Sequence, residues 1–488
     1  MENNMRFRNH SSIILENSIK TIGTIVAIFF LNFISEIGGN GIQLLDVLWL
    51  IGFLVIATGI IIGIHAIIWS RTYIIIEENT LVVERNTINK KRNTISLHTI
   101  SNVNLEQNIL EMILGTCKVK LDTNSLSTAD QTDVNIVLKK DEAERFRRII
   151  LAKDEDFSQT QTEGYSDTDA EDNVIGGDLG DIILHGLFSI RISALIFLVV
   201  ILVAEIYLLQ SLGMDNIEES LSELLGGLIT GAWFTVGIGW SILKEFFKYL
   251  NFRTERKGDK IFLNYGLFKK IAYSVPVNKI NGIRLTQTPI ARMGKRYMVE
   301  IINVGMDDNE NEANTFFLPY SKVEKLKKQL HTLIPEFDGA LEIKEERQSK
   351  AIWLLSIPWV LLYIILCVVA YMLIGRYVQD EDLANIFGVA VLGLLVVGML
   401  IKLVGFFTKG IKVDEKYLKI VNGYFAKRIL FVKYDKIQYI TGNQCIIAKH
   451  FKIQKGHISL LASMKNRVHI LPYFKEEDME LLKKYFLS

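Results

Sequence analysis

Apolar residues follow two rhythms along this chain, and the two alternate three times. First comes a pair of long, almost unbroken apolar blocks. Then comes a segment of roughly eighty residues in which short apolar runs alternate with polar ones, closed by a charged amphipathic stretch. Repetition on this scale means one architecture used three times.

A membrane helix takes about twenty predominantly apolar residues. Six blocks meet that need: 21–37, 44–69, 187–209, 224–243, 353–374 and 386–407. The loop inside each pair is short, so each pair reads as a helical hairpin. The expected order is hairpin 1–70, module 71–153, an acidic disordered linker 154–181, hairpin 182–250, module 251–334, linker 335–350, hairpin 351–407 and module 408–488. The fold class expected is a polytopic α-helical membrane protein carrying three α+β modules, each an antiparallel curved sheet capped by a C-terminal helix.

The middle module shows the pattern best. Strands are expected at 252–256 and 261–265 around the turn Lys257-Gly258-Asp259-Lys260, with glycine supplying backbone freedom. The box Val275-Pro276-Val277-Asn278-Lys279-Ile280-Asn281-Gly282-Ile283 follows and runs on to Gln287. Residues 434–440 repeat it up to Gln444, and residues 95–107 repeat it up to Gln107. Alternation bounded by turn signals makes an antiparallel meander. Phe317-Leu318-Pro319-Tyr320 and Ile470-Leu471-Pro472-Tyr473 are expected to open the closing helices. On those helices Val323, Leu326 and Leu330 share one face, as do Met479, Leu482 and Phe486.

The entry after each hairpin, the box ending in glutamine and the Leu-Pro-Tyr motif together resemble the bacterial pleckstrin-homology-like family, the second bacterial PH class, formerly a domain of unknown function. The arrangement is similar to its YdbT-type membrane proteins. The first copy departs most, with no proline in its box and no Leu-Pro-Tyr; the third lacks the box proline. The resemblance implies PH-like modules, and a second membrane protein of the same family, or self-association, as partner. The phosphoinositide pocket of eukaryotic PH domains is not carried over, because its two basic residues have no identifiable counterpart.

Charge sets the expected orientation. Arg6, Arg8 and Lys20 precede the first block, and Arg71, Lys244, Lys248 and Lys409 follow the hairpins. The loop 38–43 has no basic residue and the third loop has only Arg376. The positive-inside rule then places both termini and all three modules in the cytosol, on a multi-pass protein of the cell (inner) membrane. Arg191, Lys402, Asp46 and Glu205 lie toward block ends, so no ionisable group marks a mid-bilayer path. Gly59-x-x-x-Gly63 and Gly227-x-x-x-Gly231 offer close helix contacts. The three cysteines, Cys117, Cys367 and Cys445, are too few for a disulfide framework and are expected to be reduced.

The net charge of +1 hides segregation. Residues 253–334 carry 15 Lys/Arg against 8 Asp/Glu, and 408–488 carry 16 against 7, whereas 154–181 hold ten acids and no base. The basic positions Lys269, Lys270, Arg292, Lys295, Arg296, Lys427, Arg428, Lys449 and Lys452 are candidates for binding anionic lipid or a partner, because cations beside an anionic leaflet are attracted to it. Nucleic acid is not an expected partner, since aromatic residues are not interleaved with these bases. No phosphate loop, nucleophile elbow or metal-spaced Cys/His pair is present, so neither cofactor, metal nor enzymatic activity is expected. The function expected is a non-enzymatic membrane scaffold, with envelope protection or organisation as its setting. The alternative is a transporter or export subunit using the six helices.

Overall fold

The computed structural model describes residues 5–37, 44–123 (except 78 and 88), 136–152, 174–189 (except 178), 236–303 (except 238, 241, 242 and 245), 316–377 (except 345 and 349), 381–460 and 467–487. It forms two compact units, one of residues 1–169 with 268–274, the other of residues 170–267 with 275–488.

In the first unit, Met5–Phe7 (β1) leads into two apolar helices, Ser12–Ile37 (α1) and Leu44–Ser70 (α2). The chain returns as Thr72–Ile76 (β2), which pairs antiparallel with β1 in the register Phe7↔Ile74. Thr80–Asn86 (β3) and Lys90–Ser96 (β4) complete a four-stranded sheet. A 3-10 turn at Leu97–Thr99 then moves the chain to a second sheet of Ile100–Gln107 (β5), Thr116–Thr123 (β6) and Ile136–Lys139 (β7). Between β5 and β6 lies a short helix, Ile109–Leu114 (α3), and after β7 comes Lys140–Ala152 (α4). The core joins Ile74, Leu81 and Val103 to Phe146 of α4, all fully buried. Burying an aromatic or aliphatic side chain of this size contributes roughly 1.5–3 kcal/mol. The outer edge of β5 is also paired: Leu105, Glu106 and Gln107 face Ala272, Ile271 and Lys270.

The second unit repeats this plan twice, in part. Val174–Gly176 (β8) and Leu179–Ser189 (α5) precede Arg253–Lys257 (β9), with which β8 pairs. Lys260–Tyr265 (β10) and Lys270–Pro276 (β11) are the next strands. A second 3-10 turn, Val277–Lys279, leads to Ile280–Gln287 (β12), the helix Pro289–Met293 (α6), Arg296–Asn303 (β13), Phe316–Lys322 (β14) and Val323–Leu333 (α7). The third copy has Glu346–Arg347 (β15), the long helices Ile352–Tyr377 (α8) and Glu381–Thr408 (α9), then Gly410–Val413 (β16), Tyr417–Gly423 (β17) and Lys427–Lys433 (β18). Its second half is a 3-10 turn at Tyr434–Lys436, Ile437–Asn443 (β19), Ile446–His450 (α10), Ile453–Leu460 (β20), Val468–Lys475 (β21) and Glu476–Leu487 (α11).

Each module therefore divides its strands between two sheets at its 3-10 turn, where the sequence pattern expects one curved sheet. The second half of one copy then continues into the first half of the next. A seven-stranded sheet runs β14-β13-β12-β18-β17-β16-β15, while β19-β20-β21 stand as a three-stranded sheet.

Several expectations change. Leu-Pro-Tyr does not open a helix: Pro319 and Pro472 lie within β14 and β21, and the helices begin at Val323 and Glu476. Both strands lie at sheet edges, and the ladder register shifts across each proline and the tyrosine after it. A proline without an N–H fits an edge or a bulge and not an inner ladder. The stretch expected as the linker 335–350 is built into the unit. Arg256 holds Glu336 through two hydrogen bonds, Phe337 stacks on Tyr417 and Lys419 donates to the Ile343 carbonyl. The acidic linker 154–181 ends in strand β8 and the start of α5; its residues 154–173 lie outside the described ones.

Three described stretches are long and apolar enough to cross a membrane: Ile51–Ser70, Ile352–Tyr377 and Phe387–Thr408. The first expected span is also helical, from Ser12 onward. Residues 190–235, with most of 187–209 and half of 224–243, lie outside the described residues, as does Gly227-x-x-x-Gly231. No described atom lies within 4 Å of where a Cβ on Gly59 or Gly63 would stand, so among the described residues that pair makes no close contact. The tight crossing is instead between α8 and α9. A Cβ on Gly398 would lie 2.6 Å from the Tyr363 hydroxyl, and that hydroxyl donates to the Leu394 carbonyl.

Candidate membrane and partner interface

The three glutamines that end the repeated box have one job. Gln107, Gln287 and Gln444 each donate from Nε2 to a backbone carbonyl nine residues on, at Thr116, Arg296 and Ile453, over 2.7, 2.9 and 3.1 Å. Each bond closes a loop that holds a short helix: α3, α6 or α10. The residue after the glutamine caps that helix, satisfying an N–H of the first turn that has no helical partner. Asn108 accepts from Glu111 N, Thr288 from Ala291 N and Cys445 Sγ from Ala448 N.

These tip helices turn apolar side chains to the outside. Ile109 and Ile113 are exposed on α3, and Met293 is 86% exposed at the end of α6. On α10 Ile446 is 90% exposed, with Ile447 and Phe451 exposed beside it. Lys449, His450 and Lys452 stand exposed among them. Two tips lie at the ends of the long helices. In the first unit, Lys118, just after α3, pairs with Glu16 near the start of α1 at 3.4 Å. In the second, Arg292 of α6 donates to Thr408, the last residue of α9, and to the Tyr424 carbonyl, while Thr288 donates to the Phe188 carbonyl of α5.

A second regularity concerns the eighth residue after each glutamine, just past the tip helix. It takes the left-handed conformation in all three copies: Gly115 at φ 66°, Lys295 at φ 50° and Lys452 at φ 49°. Glycine adopts this conformation freely, whereas a side chain there costs roughly 1–2 kcal/mol. Copies two and three accept that cost and place a lysine at the surface beside the exposed apolar residues.

The other basic positions are arranged differently. Lys269 lies 3.0 Å from Glu106, a buried carboxylate that Lys120 also contacts at 3.0 Å. Two cations here compensate one buried charge, which unpaired would be costly. Lys270 is exposed on its strand opposite Gln107. Arg296 lies over the Phe188 ring, its Cζ 5.5 Å from the ring centre. Lys427 and Arg428 open β18 and face Gln287 and Thr286 across the sheet. The structure therefore brings Lys449 and Lys452 together on one tip, sets Arg292, Lys295 and Arg296 around another, and places Lys269, Lys270, Lys427 and Arg428 along strand pairings. Sequence reasoning missed the apolar tips, because a five-residue helix gives too few positions for a periodic signal.

A cleft of about 490 Å³ lies beside α11, lined by Glu346, Lys452, Tyr473, Lys475, Asp478 and Glu480. Lys412, hydrogen-bonded at 2.8 Å, holds the Glu346 carboxyl below its usual range, whereas burial and the nearby Glu346 charge raise that of Asp478. Its carboxylates make this a poor seat for an anion. Among the described residues no group of three His, Cys, Asp or Glu is placed to hold a metal.

The family model described as bacterial PH domain matches this sequence three times, over residues 26–154, 190–334 and 352–488. The chain belongs to the bacterial PH domain family. It is a membrane protein with repeated PH domains. Among curated proteins it is similar to the UPF0699 transmembrane protein YdbT of Bacillus subtilis (strain 168), at 23% identity over 285 residues, 55% of this chain and 57% of that protein. The match thus spans little more than half the length of that relative. No solved structure matches.

Proposed function

We propose that this chain is a non-enzymatic scaffold of the cell membrane, with its PH domains on the cytosolic side and their tip helices seated in the headgroup layer of anionic lipid. The observation that carries the reading is the α10 tip, where Ile446, Ile447 and Phe451 stand exposed around Lys449 and Lys452. Apolar side chains that enter the boundary between headgroups and acyl chains gain burial. Lysines beside them contribute about 1 kcal/mol each on an anionic surface. The left-handed lysines fit this reading, since the backbone cost is offset only if the charge is used. The positions of α3 and α6 at helix ends support an interfacial setting for the tips.

The test uses Cys445, which is exposed and adjacent to Ile446. The full chain, labelled there with an environment-sensitive fluorophore, is placed in nanodiscs of phosphatidylcholine alone or with added phosphatidylglycerol. The expected result is a blue shift, with quenching by brominated acyl chains, that grows with the anionic fraction. Lys452→Gly should weaken that dependence while leaving the protein as stable or more so by about 1 kcal/mol, because glycine suits the backbone there. A solvent-like spectrum at every lipid composition would remove the proposal.

A further inference from the structure

The same strand pairing occurs twice along the chain, and its two remaining strands lie at sheet edges among the described residues. The first strand after each 3-10 turn pairs, on its outer edge, with the strand before the next turn: β5 with Lys270–Ala272, and β12 with β18. The register is identical. Gln107 faces Lys270, and Gln287 faces Lys427. Two strands of this set lie at the edge of their sheets. One is β19, counterpart of β5 and β12, which pairs only with β20 among the described residues. The other is β4, counterpart of β11 and β18, which ends the first sheet among the described residues.

Exposure follows this difference. Within β12 six of eight residues are buried, and within β19 only Ile437 is. Ile429 to Val432 of β18 are buried, whereas in β4 only Ile95 is. Open edges are templates for another strand, and natural proteins usually guard them with charge, proline or bulges. The stretch Ile437–Asn443 contains neither a charged residue nor a proline.

We propose that β19 of one molecule pairs antiparallel with β4 of a second copy, in the register of the two internal pairings. Gln444 then faces Lys90, Asn443 faces Lys91 and Gly442 faces Arg92, the three pairs that both internal ladders share. Lys90 occupies the position of Lys270 and Lys427, so the chain itself carries the matching strand. The contact joins different surfaces of the two copies and is therefore head-to-tail, an addition of a strand to a sheet edge. It names the partner for the scaffold reading and rests on it only in treating the modules as binding surfaces. Headgroup contact is read by the fluorophore and edge pairing by crosslinking, so each can fail without the other.

Two differently tagged full-length copies are co-expressed in a Cys445→Ser background, one with Asn443→Cys and one with Lys91→Cys. A short bifunctional thiol reagent should join the two tags. The out-of-register combination of Tyr439→Cys with Lys91→Cys should give about tenfold less product, a difference of ~1.4 kcal/mol. As a check that needs no crosslinker, Asn443→Lys, which sets like charges opposite each other, should lower co-purification of the two tags, and Asn443→Glu should maintain or raise it. Both sites are exposed, so these variants keep the fold. Equal product from both registers, crosslinks between two copies that both carry Asn443→Cys, or no product at all would overturn the proposal.

Discussion

His185 shows how much one side chain settles. It is fully buried, its Nδ1 accepts the Tyr320 N–H at 3.1 Å, and the rings of Tyr249, Phe316 and Tyr320 surround it. Burial, with a smaller contribution from Lys248, pushes its pKa down from 6.5 to about 3. The folded protein therefore keeps this imidazole neutral, while the unfolded chain takes up a proton below about 6.5. Stability is intact above that value and falls as pH drops from about 6.5 toward 3, by at most ~1.4 kcal/mol per pH unit. His185→Asn offers an Oδ1 in place of Nδ1 and does not titrate. Its thermal midpoint in detergent should be lower at pH 7.5, yet should change less between pH 7 and 5 than that of the unaltered protein.

At the scale of elements, the β12–β18 ladder depends on the glycine in the repeated box. A Cβ on Gly282 would lie 2.7 Å from the Phe431 carbonyl oxygen, so only a bare backbone allows the strands to approach. Gly282→Val should cost about 1–3 kcal/mol and lower the thermal midpoint, with limited proteolysis opening first around 276–287. This glycine was visible in the sequence; its reason was not. The box, the glutamine, the hairpins and the amphipathic helices were legible because they follow local rules of alternation and turn chemistry. Leu-Pro-Tyr misled because a proline beside an amphipathic run also fits an edge strand. The short strands β1, β8 and β15 escaped because two or three residues carry no period. Their partners lie more than sixty residues away in sequence, a distance no local pattern spans. The basic pairs at 269–270 and 427–428 looked like free surface because a sequence does not show which strand will face them.

For the whole molecule, sidedness decides the scaffold reading, and the chain holds its own reporter. Cys445 is exposed, whereas Cys117 is buried, with its thiol pushed up to about 11 mainly by burial. Cys367 lies within a membrane-length helix. A membrane-impermeant maleimide should therefore leave intact cells unlabelled and react after permeabilisation, and Cys445→Ser should remove the signal. Labelling of intact cells would place the third PH domain outside.

β1 pairs with β2 on either side of α1 and α2, and β15 pairs with β16 on either side of α8 and α9. Phe7 faces Ile74, and Arg347 faces Gly410. Adjacent strands lie only about 4.8 Å apart, so the pair α1–α2 and the pair α8–α9 each leave and re-enter their domain through a doorway one strand wide. In covalent terms each anchor is a greatly enlarged hairpin loop. A two-residue turn could bridge the same gap, which makes the bilayer segment a detachable insert and the β-sheet domain the continuous object.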